Sequence, residues 1–135
     1  MSHIVPVSLE SSRDPISRMR VFQLATALIP DAFQDAKLLQ AEPITAEIAG
    51  QLYAAVSSIE GHVGEGYSRS SGKDRSHIFE YALGSVREAM IWYHSARPLL
   101  GNVVIERLDK LEEIRRMLLA IIPRERTKIV RPARD

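Results

Sequence analysis

Three sets of side chains in this 135-residue chain could do chemistry. The first is Glu65 with Arg69, four positions apart in Glu65-Gly66-Tyr67-Ser68-Arg69. A carboxylate at the C-terminal end of a helix is disfavoured by the helix dipole by a few tenths to ~1 kcal/mol, so it needs a compensating donor. The fork of Arg69 can supply it, as can the free amides that open the next helix. Such a pair braces a turn and does not poise a catalytic acid. The second set is His62-x-x-Glu65 and Asp74-x-x-His77. Ferritin-like di-metal centres place Glu-x-x-His on each of two helices and add further inward glutamates. Here the first motif is reversed, neither is duplicated, and the extra glutamates are missing, so neither a metal site nor any other cofactor is expected.

The third set is cationic: Arg69, Lys73 and Arg75 near one turn, Arg115 and Arg116 further on, then Arg124, Arg126, Lys128, Arg131 and Arg134. Clustered cations neutralise phosphates without reading bases, so RNA or DNA is the expected ligand class. A solvated face is the competing reading, because Glu106, Asp109, Glu112 and Glu113 interleave the same stretch. The chain has no cysteine, and it contains no phosphate-binding glycine loop, dinucleotide fingerprint or nucleophile elbow. Ser57 and Ser58 lack the His and Asp pattern that would activate them. The chain reads as a non-enzyme.

The elements that must position these groups follow from apolar periodicity. After a loose lead-in over residues 1–13, Asp14-Pro15 caps and opens a first helix carrying Ile16, Met19, Phe22, Phe33 and Ala36, kinked at Pro30 and closed at Pro43. Thr45 is the expected N-cap of a second helix with the stripe Ile48, Leu52, Ala55, Ile59 and Val63, and Gly66 is the expected left-handed terminator. A third helix is expected over residues 73–96, ending before Pro98. It carries two stripes, one through Phe79, Ala82, Leu83, Val86, Met90 and Tyr93, the other through Ile78, Tyr81 and Trp92. Two stripes need two partners, so Ile78, Tyr81 and Trp92 are the expected contact with a second copy, although a centrally packed helix could bury both. Gly101-Asn102 turns into a fourth helix through Val104, Leu108, Leu111, Leu118 and Ile122, stopping at Pro123. Arg115 lies inside its apolar arc and is expected either to reach past the apolar surface to water or to pair with Glu65 or Glu88 at an interface. The expected organisation is a bundle domain over residues 14–122 and a basic tail over 123–135. Four amphipathic helices with short connections specify an all-α, up-and-down four-helix bundle.

Composition bounds the class. Hydrophobic content of 45% with 26% charge is ordinary for a globular domain and argues against wholesale disorder. At this length one core hides roughly two thirds of the unfolded surface. A chain without cysteine suits a reducing compartment. No charged start precedes an apolar run, and no apolar run approaches ~18 residues, so a cytoplasmic protein with no membrane partner is expected. Residues 1–66 hold eight acidic and four basic side chains, and residues 67–135 hold nine and fourteen. That asymmetry suggests either an anionic partner for the C-terminal half or complementarity between helices.

Residues 18–122 resemble the four-helix bundle family known as the 23S rRNA intervening-sequence proteins. The family's second helix ends close to S-I-x-x-N-I-A-E-G-x-G-R, and here Ser58, Ile59, Glu65, Gly66 and Arg69 match. His62, Gly64 and Ser68 replace the asparagine, alanine and second glycine. A third-helix signature of Gly-Ser followed three residues on by Glu is matched by Gly84, Ser85 and Glu88. The Phe-Pro and glutamate that usually precede the second helix are only echoed, by Pro43 and Glu47. The resemblance implies a bundle assembled as a ring-like homo-oligomer, commonly a pentamer, with no enzymatic activity. One branch resembles the accessory variability determinant of diversity-generating retroelements, a basic bundle that works with a reverse transcriptase and nucleic acid. The expected function is thus a homo-oligomeric accessory protein binding RNA, DNA or a nucleic-acid enzyme; the alternative is a protein–protein scaffold with no nucleic-acid role.

Overall fold

Apolar side chains recurring at helical spacing produce four long helices in the computed structural model, which describes residues 13–128. They are α1 (Arg20–Gln40), α2 (Ala46–Tyr67), α3 (Gly72–Leu100) and α4 (Val103–Arg126), preceded by a 3-10 turn, Pro15–Arg18. The described residues contain no strand. None of their helices is long and apolar enough to cross a membrane. Residues 1–12 of the expected lead-in, and everything past residue 128 of the expected tail, lie outside the described residues. Short turns force consecutive helices to run antiparallel, and α1 packs on α2, α2 on α3 and α3 on α4. Between α1 and α4 the packing is sparse. The core holds Leu28, Leu39, Leu52, Ile59, Phe79, Tyr93, Leu111, Ile114 and Leu118, all with no exposed surface.

The helix ends differ from the expectations, each for a physical reason. Asp14 does cap, accepting from the Ile16 amide at 3.1 Å, but what it caps is a single 3-10 turn. Met19 is extended (φ −75°, ψ 119°), and α1 begins only after it. Pro30, Pro98 and Pro123 all lie inside helices. Each is exposed, so the carbonyl four residues back that loses its amide partner lies towards the surface, and the one before Pro98, that of His94, accepts from Arg97 Nη1 at 2.6 Å. Hence α3 continues four residues past its expected end, and the first residues of the supposed tail are the last turn of α4. Thr45 does not cap α2 with its side chain; its hydroxyl turns back to donate to the Leu39 carbonyl at 2.7 Å and closes α1.

Two glycines permit close approach where a side chain would collide. Gly66 is not in the left-handed region; Gly101 (φ 65°) is the one described residue with positive φ. A Cβ on Gly66 would stand 2.7 Å from the Phe79 ring, so this glycine lets α2 lie against α3. A Cβ on Gly72 would overlap the Glu125 and Lys128 carbonyls, so the start of α3 abuts the end of α4. Gly84, expected to serve close packing, has nothing within 4 Å of its Cβ position, and neither has Gly61.

Gly66→Ala should therefore lower stability by about 1–3 kcal/mol through overpacking, while Gly61→Ala should raise it by about 0.5–1 kcal/mol through helix propensity. Chemical denaturation of the two variants checks this. Equal midpoints would show that the α2–α3 contact at Phe79 tolerates a methyl group.

Candidate nucleic-acid interface

The antiparallel order gathers the start of α1, the end of α2, the start of α3 and the end of α4 at one end of the bundle. Of the expected phosphate-binding cations, Arg69, Lys73, Arg75, Arg124, Arg126 and Lys128 belong to this end, and Arg13, Arg18 and Arg20 join them from the α1 side. Arg115 and Arg116 lie apart, midway along α4.

Several of these cations already have partners. Arg69 Nη2 donates to Glu65 Oε2 at 3.1 Å, across an exposed pair at the α2 terminus. Arg126 Nη2 donates to Glu80 Oε2 at 3.1 Å, and Lys128 lies 4.0 Å from Glu125. Arg115 forks onto both Glu112 oxygens at 2.7 and 2.8 Å, and Arg116 adds a third bond at 3.0 Å. Within the chain, then, the partner of Arg115 is Glu112. The Arg115 hydrogen bonds hold the Glu112 carboxyl well below the usual carboxylate range, at about 2. The Arg75 guanidinium lies 5.1 Å from the centre of the Tyr67 ring. Arg13, Arg18, Lys73 and Arg124 remain: all four are exposed, with no ion-pair partner among the described residues.

Between the Arg69 and Arg126 pairs runs a polar strip over α2 and α3. His62 Nδ1 is 3.6 Å from Glu65 Oε1, the His62 ring is 5.8 Å from that of Tyr81, and His77 Nε2 meets the Tyr81 hydroxyl at 3.1 Å. His77 Nδ1 is in turn 3.9 Å from Glu80. Among the described residues no three or more His, Asp or Glu side chains are grouped to hold a metal ion.

The remaining motif residues scatter in role. Ile59 is core, and the Ser58 hydroxyl donates to its own helix at Ala54 O, 2.7 Å away. Ser85 is half-buried, whereas Gly84 and Glu88 are exposed, and Glu88 forms no hydrogen bond or ion pair among the described residues. Of the expected contact with a second copy, Ile78 is buried within the chain and Trp92 is half-buried against the core, its indole N–H enclosed without an acceptor. Tyr81 stays half exposed. A centrally placed α3, flanked by α2 and α4, absorbs most of its second stripe itself.

The structure also brings together three residues that the sequence reading left unconnected. Asp35 on α1, Tyr93 on α3 and Arg107 on α4 form a buried network. Arg107 Nε donates to Asp35 Oδ2 at 2.8 Å and Nη2 to Oδ1 at 3.3 Å, while the Tyr93 hydroxyl donates to Oδ2 at 2.6 Å. Asp31 and Glu106 stand 3.6 and 3.5 Å from Nη1. The Asp35 hydrogen bond holds the Arg107 guanidinium above its ordinary pKa. The signal was present in the spacing. Leu28, Ala32, Asp35 and Leu39 share one stripe, as do Val104, Arg107, Leu111 and Ile114, and opposite charges at core positions of two helices invite pairing.

The four-helix arrangement is similar, with a TM-score of 0.70, to the crystal structure of a protein of unknown function from the S23 ribosomal protein family of Bacteroides thetaiotaomicron. The two are 18% identical, and the match covers 76% of this chain and 97% of that one. This is a likeness of fold. No protein-family model and no curated protein matches the chain.

Burial first, then the hydrogen bond to Asp35, raises the Tyr93 phenol far above its ordinary value. An unfolded tyrosine ionises near pH ~10. The stabilisation is therefore complete below that pH and fades as pH rises through and beyond it, because only the unfolded chain then gives up the proton. Thermal melts from pH ~8 to ~11 should show a steep alkaline loss of stability that Tyr93→Phe makes shallower. A variant curve parallel to the wild type would mean that the phenol is not held neutral by the fold.

Proposed function

We propose that this chain is a non-enzymatic accessory protein: a cytoplasmic helical bundle that associates with copies of itself and engages RNA, DNA or a nucleic-acid enzyme through its basic end. The observation that carries this reading is the set of four exposed, unpaired cations, Arg13, Arg18, Lys73 and Arg124, gathered at one end of the bundle. The opposite end mixes Asp35, Glu42, Glu47, Glu106 and Asp109 with Lys37, Arg97, Arg107 and Lys110, so the cationic excess belongs to the first end alone. Such an end attracts a polyanion by releasing its counterions, and copies side by side would multiply weak contacts into avidity. The motif residues that resemble the 23S rRNA intervening-sequence proteins, and the fold shared with an S23 ribosomal protein family member, support the same reading. The branch that resembles the retroelement accessory determinant makes a reverse transcriptase the enzyme partner of choice, and a ring of five the assembly of choice.

A second reading, a protein scaffold without nucleic acid, draws on a different observation. Arg69, Arg115, Arg116, Arg126 and Lys128 face carboxylates of their own chain, which leaves fewer charges for phosphates.

Fluorescence anisotropy with labelled RNA and DNA oligonucleotides separates the two. On duplex DNA, affinity should fall by roughly 0.9 log units per log unit of salt for each phosphate engaged. Lys73→Glu with Arg124→Glu should abolish binding at unchanged mass in solution. No binding at low salt, binding indifferent to salt, or a double variant that binds like the wild type would favour the scaffold.

A further inference from the structure

The last turns of α1 and the first turns of α2 leave a groove of about 530 Å³ between them, lined by Phe33, Ala36, Ala49, Gly50 and Tyr53. Phe33 and Tyr53 pack edge to face with ring centres 5.8 Å apart, yet remain 40% and 37% exposed. A smaller hollow of about 210 Å³ continues past the same two rings. Gly50 has nothing within 4 Å of its Cβ position, so the absent side chain is part of what keeps the groove open. Lys37 and Glu47 also line it, and neither has an ion-pair partner among the described residues.

On the opposite face of the bundle, α3 and α4 carry a ridge of the same character. Ile91 and Ile105 are 62% and 63% exposed, and Pro98 is exposed beside them. Ile91 and Pro98 are seven apart, close to two helical turns, and share their stripe with Glu80, which bonds to Arg126 of α4. The stripe therefore borders α4. Arg87 lies one turn before Ile91 and Asp109 one turn after Ile105; both are exposed and without ion-pair partners among the described residues. Groove and ridge stand at the same height, since one is built from the end of α1 and the start of α2, the other from the end of α3 and the start of α4.

We infer that the groove receives the α3–α4 ridge of a second copy of this chain, head to tail. This rests on the self-association proposed above and says which surfaces perform it. A recess edged by one cation and one carboxylate meets a projection flanked by one cation and one carboxylate, so both rims can be neutralised while the aliphatic ridge covers the aromatic pair. Surfaces that differ and lie level on opposite faces give a heterologous contact, which closes into a ring where the rotation between copies divides a full turn and otherwise runs on as a filament of parallel copies. The seam then lies away from Ile78, which the chain buries by itself, and leaves the basic end of every copy facing the same way.

Two variants and their mixture test this by light scattering, with circular dichroism as the check on folding. Gly50→Arg fills the groove at a position where a side chain meets nothing, and it replaces glycine by a better helix former. It should keep at least the wild-type helical signal while falling to monomer mass. Ile91→Glu, on an exposed site, should also give a folded monomer. Mixed one to one, they leave one intact groove and one intact ridge, and should form a dimer that grows no further. Unchanged mass for either variant, or a mixture that stays monomeric, overturns the inference even if the wild type assembles. A wild type that is monomeric at all concentrations overturns the self-association on which it rests.

Discussion

The contact on which this bundle depends is the buried meeting of Asp35, Arg107 and Tyr93. The other seams are extensive, with polar contacts such as Thr26 to Glu60 and Arg126 to Glu80 beside an apolar core. By contrast α1 and α4 touch sparingly, and apart from this network the ion pair across that seam is Arg20 with Glu113 at 3.8 Å on the surface. Exposed pairs of that kind contribute ~0–1 kcal/mol. A buried pair behaves differently: desolvating two charges offsets much of their attraction, yet stranding one of them is severely unfavourable. Its effect is to fix alignment. Sliding α1 along α4 would separate Asp35 from both Arg107 and Tyr93. In the one direction that brings Asp31, one turn earlier and already 3.6 Å from Arg107 Nη1, to the guanidinium, Asp35 itself would still lose both partners. Tyr93 extends the same constraint to α3, so three helices are registered by one carboxylate.

That registration is what lets the two ends of the molecule differ in charge. Gly72 allows the start of α3 to meet the end of α4, and Gly66 allows α2 to approach Phe79, so the basic end is assembled by backbone proximity more than by ion pairs. The ion pairs of Arg69 and Arg126 there are surface contacts, and Arg13, Arg18, Lys73 and Arg124 stay exposed beside them. The opposite end, where α1 and α2 part to leave the Phe33–Tyr53 groove, carries charges of both signs and is partly apolar.

Most of the architecture was legible in the sequence, because apolar stripes at helical spacing are the strongest local signal a chain carries. The stripes through Leu52, Ile59 and Val63, and through Phe79, Val86 and Tyr93, reappear in the core. Less legible was anything that depends on which way a residue faces. Pro98 and Pro123 read as stops, but both lie on exposed faces, where a freed carbonyl is met by water or by a side chain such as Arg97. Gly66 reads as a left-handed terminator and is instead a gap for a phenyl ring. Thr45 reads as a cap for the helix after it and closes the one before. Arg115 drew attention as a cation in an apolar arc, while Arg107, one stripe position deeper, is the one that is buried. Local spacing identifies the arc; only the partner helix decides whether a charge within it is buried or reaches water.

The account stands on the α1–α4 pair, and a double-mutant cycle with hydrogen exchange tests it most directly. Arg107→Met should cost about 3–5 kcal/mol, because Asp35 is left buried with its charge uncompensated, and the amides of α1 should lose protection before those of α2 and α3. Asp35→Leu combined with Arg107→Met should regain most of that loss. A single variant within ~0.5 kcal/mol of the wild type, with α1 as protected as before, would contradict the claim that this contact holds the bundle in register.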